Sequence, residues 1–329
     1  MASCGTVTLT QLEAFVLVAR LGSVTAAARA LGVSEPAVSG ALAALRQQLG
    51  DKLVERAPGG MMLTSGGERL VPIASQMVAL AAEAEDAIRE AQGAPERLRV
   101  VATSTVAESV APALLAAFTG RAGAAAVEPS LGVVSSAEAA AVVHERLADV
   151  ALGPRVSGEA AKGLDCTPLF RYRLLLTAAP THRLAKRGHL PLAALVDETW
   201  LVDPDATDPA SPVQALLRHL HVDEDRTRVF PSQAAAWAAA QEGHGIAPAI
   251  GHLAAPELAR GVLVALDVDG LPLELLWYAT TLAPDRRSQA ASSLLRFSST
   301  PDATQAMHTP FGGVPPSRFR PPVYVTIWS

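Results

Sequence analysis

Residues 9–70 read LTQLEAFVLVARLGSVTAAARALGVSEPAVSGALAALRQQLGDKLVERAPGGMMLTSGGERL. A Thr or Ser followed three residues later by Gln or Glu, just before an apolar run, opens a helix by reciprocal capping. Thr8 with Gln11, or Thr10 with Glu13, supplies that signal ahead of Leu12, Phe15, Val16 and Val18, and the helix ends near Leu21-Gly22. Ser23 then caps a second helix, Val24 to Leu31, with Val24, Ala27, Ala28 and Leu31 on one face. Gly32 supplies the positive φ of a tight stop. Ser34 caps a third helix with Pro36 in its first turn, where a missing N–H costs nothing. Val38, Leu42, Leu45 and Leu49 follow as a buried stripe at helical spacing. Two short helices joined by a glycine-containing turn predict a helix-turn-helix.

The flanking residues extend the unit. Lys52–Arg56 and Met61–Thr64 read as two short strands joined by the turn Ala57-Pro58-Gly59-Gly60, a wing. A long helix is expected from about Gly67 to Ala91, capped by Thr64 or Ser65. Its stripe Ile73, Met77, Leu80, Ala84 and Ala87 is narrow and near heptad spacing, which suits pairing with a second copy better than a broad core; packing on its own domain is the alternative. The expected boundaries are 1–66 for the winged domain and 67–92 for a linker and dimerisation helix.

This stretch resembles the N-terminal domain of LysR-type transcriptional regulators. The shared motifs are AA-x-x-L in the second helix, S-x-P-A-V-S in the third, L-G-x-x-L-x-x-R entering the wing and L-T-x-x-G opening the long helix. The resemblance implies that double-stranded DNA is contacted by Thr25, Ser34, Glu35, Pro36, Ser39, Gly40 and Ala43, with Arg29, Arg46, Lys52, Arg56 and Arg69 as the charges left to hold the phosphate backbone; for any one of these taken singly, a solvated surface residue is the alternative. Glu35 stands where the family usually has Gln. Gln bonds adenine bidentately, whereas Glu only accepts, so cytosine is its natural base partner; it could equally face solvent at the helix start. Ala41, Ala43 and Ala44 occupy positions that are often basic, and the wing has Gly59 and Gly60 in place of its usual arginine. Fewer phosphate contacts imply weaker non-specific affinity and a shallower salt dependence.

Composition argues the other way. The chain carries 27 Lys and Arg against 32 Asp and Glu, a net charge of −5, so there is no basic patch of the kind nucleic-acid binders usually show. The case for DNA rests on pattern. Neither a membrane span nor a secretory signal is visible, and Cys4 and Cys166 have neither disulfide-framework nor metal-ligand spacing. A cytoplasmic protein is expected.

Gly93-Ala94-Pro95 marks a boundary, after which short apolar strands alternate with helices, the pattern of parallel βαβ units. Expected strands include Leu98–Ala102, Val127–Val134, Asp149–Gly153, Leu169–Ala178 and Leu273–Thr281, with helices at Ser109–Phe118, Ala137–Arg146 and Ser288–Phe297. The expected architecture is thus a mainly α winged helix-turn-helix with a long linker helix, followed by an α/β domain of two lobes. Lobe I takes about 97–168 and 270–297, lobe II about 169–269, and 298–329 is a flexible tail. The segments LRVVATST, ADVALGP, PLFRYRLLLTAAPTHRLA and GHGIAPAIG resemble the family's effector domain, which is similar to periplasmic solute-binding proteins. A homodimer or dimer of dimers is implied.

Ligands in such folds bind beyond the carboxyl ends of parallel strands. Ser104 and Thr105 follow the first strand, Ser135 and Ser136 the second, and Ser232 a strand of the other lobe, with Pro154 after the third. Hydroxyls and free N–H groups there suit a carboxylate effector; ordinary N-caps are the alternative. Asp203, Asp205 and Asp208 could approach the rim and favour a cationic group, or form a solvated turn. Cys166 reads as an inert thiol. No phosphate loop, metal cluster or nucleophile elbow is visible, so neither enzyme nor cofactor is expected. Two rival readings are weighed: a molybdate-responsive regulator, which should lack a two-lobed second domain, so that the strand pattern after Leu98 speaks against it, and a solute-binding or enzymatic α/β protein with a degenerate winged domain.

Overall fold

The structure is a computed structural model that describes residues 6–57, 60–121 and 127–308. Helix α1 spans Leu9–Leu21, α2 Val24–Leu31 and α3 Glu35–Leu49. Of the two capping signals, Thr8 with Gln11 is the one used: each side chain bonds the other's backbone N–H. Ser23 caps α2 through the Ala26 N–H at 3.2 Å, and Gly32 closes it at φ +65°. Ser34 occupies the N-cap position of α3, but its hydroxyl makes no cap bond and the residue stays exposed.

Strands β1 (Val54–Ala57) and β2 (Gly60–Leu63) pair antiparallel and form the wing; its turn at Pro58 and Gly59 and the Arg56 side chain lie outside the described residues. Helix α4 runs Ser65–Ala91, two residues earlier than its expected start. Its first turn is anchored by Thr64, whose hydroxyl accepts from the Gly67 N–H at 3.0 Å and donates to Asp51 at 2.8 Å. A Cβ at Gly67 would stand 2.0 Å from the Leu53 carbonyl oxygen, so only glycine fits where α4 crosses the chain entering the wing.

The second domain comprises, in chain order, β3 (Glu96–Ala102), α5 (Ser104–Ser109), α6 (Ala111–Thr119), β4 (Val127–Val133), α7 (Ser136–His144), β5 (Val150–Gly153), β6 (Leu164–Ala178), β7 (Trp200–Val202), α8 (Pro212–His219), β8 (Thr227–Val229), α9 (Gln233–Gln241), β9 (Ala247–Ile250), α10 (Ala255–Ala259), β10 (Val264–Ala265), β11 (Leu273–Leu282), α11 (Gln289–Ser298) and α12 (Pro301–His308). The large sheet runs β10-β6-β11-β5-β3-β4, with β9 also on β6. Strand β3 lies parallel between β4 and β5, the βαβ arrangement of lobe I. Strands β6 and β11 pair antiparallel from Leu164–Leu282 to Leu174–Leu273, and the far end of β6 pairs β9 and β10 in lobe II. These two long strands are the crossover between lobes.

Each lobe has its own apolar centre. Leu98, Val100, Leu114, Phe118 and Leu294 fill lobe I, while Leu176, Leu184, Leu195, Trp200 and Ile246 fill lobe II. The winged domain does not stand apart: its core, including Phe15, Val16 and Leu31, is continuous with Val142, Val143 and Leu147 around α7 of lobe I.

Two expectations are corrected. The helix expected at Ser109–Phe118 is α6, starting two residues later, and a separate short helix, α5, precedes it, the two broken at Val110 ahead of Pro112. The tail does not begin at residue 298. Residues 301–308 form α12, with Ala303 and Met307 fully buried against lobe I and the Thr300 hydroxyl accepting from the Ala303 N–H. Averaging this segment with the Pro- and Gly-rich residues after it hid a capped helix with one apolar face; residues 309–329 lie outside the described ones.

Candidate nucleic-acid interface and interlobe cleft

Helix α3 buries Val38, Leu42 and Leu45, which turns Ser34, Glu35, Pro36, Ser39, Gly40 and Ala43 to solvent. Thr25 and Arg29 of α2 are exposed as well. A groove of about 490 Å³ separates α3 from the wing and is lined by Ser39, Arg46, Lys52 and Glu55 among others. Of the residues predicted to meet DNA, Ser34, Glu35, Pro36, Ser39, Gly40 and Ala43 are thus exposed together on α3.

Its cations are partly engaged within the chain. Arg46 sends Nη2 to the Val54 carbonyl at 3.1 Å and braces α3 against the wing. Lys52 pairs with Glu55 at 3.1 Å, an exposed bridge worth little. Arg29 faces Glu138 of α7 at 3.6 Å, and Arg20 pairs with Glu145 at the other end of that helix at 3.1 Å. Both carboxylates are only 2% exposed, so two arginines of the winged domain neutralise two acids that lobe I buries at the junction. No sequence signal marked that pairing, because neither acid is near its partner in the chain.

Between the lobes lies a cavity of about 70 Å³. Lobe I supplies Thr103, Thr105, Ser136 and Pro154; lobe II supplies Asp203, Asp205, Ser211 and Gln233; the crossover strands supply Tyr172 and Trp277. The two rings stack at 4.3 Å between centroids. Thr105 is the point of closure. Its N–H donates to Asp205 Oδ2 at 2.9 Å and its hydroxyl to Asp203 Oδ2 at 3.1 Å, bonds that span about a hundred residues and both lobes. Asp203 also accepts from the Ala206 N–H with Oδ1 at 3.1 Å. Burial and the neighbouring Asp205 charge push the Asp203 carboxyl above its ordinary value. Burial, with Asp205 and Asp203, does the same to Glu108 of α5.

The residues predicted for the cleft divide. Ser136 lines the cavity, as do Thr105, Pro154, Asp203 and Asp205, whereas Ser104 opens α5 outside its wall. Ser135 is an N-cap, exchanging bonds with Glu138, and Ser232 caps α9 through the Ala235 N–H. Asp208 remains a turn residue, accepting from the Ala210 N–H. Cys166 is half-buried beside Thr280. Tyr172, Trp277 and Gln233 carried no signal as cleft residues, since on their strands and helix they read as ordinary structural positions.

A LysR substrate binding domain matches residues 91–300, and a bacterial regulatory helix-turn-helix of the lysR family matches residues 9–68. The chain belongs to the LysR family. An uncharacterized HTH-type transcriptional regulator of Mycobacterium tuberculosis, Rv0377, is 37% identical over 324 residues, 97% of this chain and 99% of its own. The HTH-type transcriptional regulator CfxR of Cupriavidus necator is 27% identical, covering 94% of this chain and 96% of that protein. Among solved structures, the regulatory domain of Synechocystis CcmR in complex with 2-PG aligns with a TM-score of 0.51 and 26% identity, over 61% of this chain and 95% of that one. A full-length OxyR variant from Pseudomonas aeruginosa, at 18% identity and a TM-score of 0.56, covers 92% of this chain and 98% of that one and shares its fold. This LysR-type transcriptional regulator thus carries a helix-turn-helix followed by an effector-binding domain of periplasmic-binding-protein-like fold. No helix among the described residues is long and apolar enough to cross a membrane.

Proposed function

We propose that this regulator binds a promoter sequence through paired copies of α3, under the control of a small molecule held between the two lobes of its second domain. The observation that carries the reading is the open face of α3: Ser34, Glu35, Ser39, Gly40 and Ala43 are all exposed on a helix whose opposite side is core. Small side chains there let the backbone come close to base edges in a major groove. Pairing is supported by α4, which leaves Ile73, Met77, Leu80 and Ile88 largely exposed at helical spacing. A stripe of this kind is covered by a second copy in a homodimer, and two such dimers would form the dimer of dimers. The small-molecule part rests on the interlobe cavity and on a relative whose regulatory domain is in complex with 2-PG. Control requires that the ligand bind two arrangements of the assembly unequally.

The test is a gel shift on duplex DNA from upstream of the protein's own gene. Wild type is expected to retard a discrete fragment, and Ser39→Trp to lose at least about 100-fold in affinity by holding α3 out of the groove, with unchanged melting. No retardation at any low salt concentration would favour the solute-binding alternative.

A further inference from the structure

The interlobe cavity has a one-sided charge. Among the described residues, the only charged side chains on its wall are Asp203 and Asp205. Glu108 of α5 lies close enough for both to act on its carboxyl. Among the described residues none of these three acids has an ion-pair partner, although other acids at the lobe and domain junctions do. Arg155, next to the lining residue Pro154, lies over the Tyr278 ring at 5.8 Å.

The donors closest to the two aspartates are taken. Thr105 commits both its N–H and its hydroxyl to the two aspartates. Helix α5 has only six residues, too few to add a strong terminal field. A carboxylate bound at Thr105 would have to displace two acids already bonded, and one bound elsewhere on the wall would sit close to them. The remaining wall includes the stacked pair Tyr172 and Trp277, whose faces carry negative quadrupole charge and attract cations.

Resting on the effector reading above, we infer that the cleft takes a small organic cation, a protonated amine or guanidinium group seated between Asp203, Asp205 and the Tyr172–Trp277 faces. Such a group relieves the mutual repulsion of the acids without breaking their bonds to Thr105, so it stabilises the closed lobes. Burial first, and the neighbouring acids after it, raise the carboxyls of Asp203 and Glu108. This replaces the carboxylate effector that the serine-rich strand ends suggested.

The experiment uses the full chain with putrescine and agmatine as cationic probes and succinate as the anionic one, at constant ionic strength, read by thermal melting and calorimetric titration. A cationic probe is expected to raise the melting midpoint saturably. Asp203→Asn/Asp205→Asn should weaken that binding at least about 10-fold, or 1.4 kcal/mol, since the amide keeps the shape and loses the charge. Thr105→Val serves as the second variant: a cation site survives the loss of the hydroxyl donor, whereas an anion site built on it does not. Saturable binding of succinate that Thr105→Val abolishes would overturn the inference, as would cation effects equal in wild type and the double asparagine variant, or none at millimolar concentrations. The upstream-DNA gel shift without probe, run on the same samples, tests the regulatory reading separately; succinate binding that alters the shift would sink the cation and keep the effector.

Discussion

The open face of α3 and the interlobe cleft are built on opposite principles. The first is one contiguous segment, open to solvent, nearly stripped of free charge and held rigid from behind by Val38, Leu42 and Leu45. The second is gathered from both lobes and the crossover strands, narrow, and crowded with like charge. An exposed face costs the fold little and is free to be shaped by its target. An acidic cleft carries electrostatic cost in the empty state, so any ligand that lifts that cost acquires leverage over how the lobes sit. The two are physically connected: Ser136 lines the cleft, Ser135 and Glu138 cap the helix it opens, and Glu138 faces Arg29 of α2, next to α3.

The largest expected break concerns pairing. Ile73→Glu/Leu80→Glu alters two side chains that are 56% and 63% exposed, so the fold should persist. Two acids in the α4 stripe are expected to yield monomers in analytical ultracentrifugation and a DNA affinity lower by about 100-fold or more, the scale on which linked half-sites differ from single ones. Ligand binding in the cleft should be unchanged; if DNA affinity holds while the dimer is lost, the open face works singly.

A smaller effect sharpens what the open face reads. Glu35 is exposed in the first turn of α3, so Glu35→Gln should leave urea unfolding unchanged within about 0.5 kcal/mol. Selection from randomised duplexes should move one base-pair preference from cytosine toward adenine by about 10-fold. An unchanged preference would assign Glu35 to solvent.

The smallest effect separates the regions by pH. Asp203 and Glu108 hold their protons more tightly in the fold than in the unfolded chain, because burial and neighbouring acids disfavour the charged form. Their contribution to stability therefore increases as pH falls toward the ordinary carboxylate range and is lost as pH rises above it. Glu13, pushed up to about 7 by burial and by Glu85 of α4, acts in the same direction. The difference between wild type and Asp203→Asn isolates the cleft: the wild-type gain on acidification should exceed the variant's by about 2 °C in midpoint. Equal gains would mean that the cleft acids are not in repulsion.

The winged domain was readable because its signals are short-ranged. Thr8 with Gln11, Ser23, Gly32 and Pro36 each act within one turn of helix, and the apolar stripe of α3 says which side faces inward. The motif ending at Gly67 was readable as a family pattern, but its reason, contact with the Leu53 carbonyl, was not. In the second domain the alternation of strands and helices was visible, and so were Thr105 and Asp203 individually. Their bond was not, since 98 residues separate them. Tyr172 and Trp277 were hidden by their place on strands that any apolar or aromatic residue would suit. Helix α12 was lost in the composition of the segment that follows it.

Local patterning alone determined the order of domains, the three helices and wing, the linker helix and the face of α3 turned to solvent, because capping, positive-φ glycines and helical periodicity are properties of a few neighbouring residues. Tertiary structure alone decided the rest. It set Arg20 and Arg29 against Glu145 and Glu138, joined the winged core to lobe I, and placed Asp203 and Asp205 on Thr105 across the cleft. Charge pairing and desolvation depend on which groups are near in space once the chain has folded, and distance along the sequence does not carry that information.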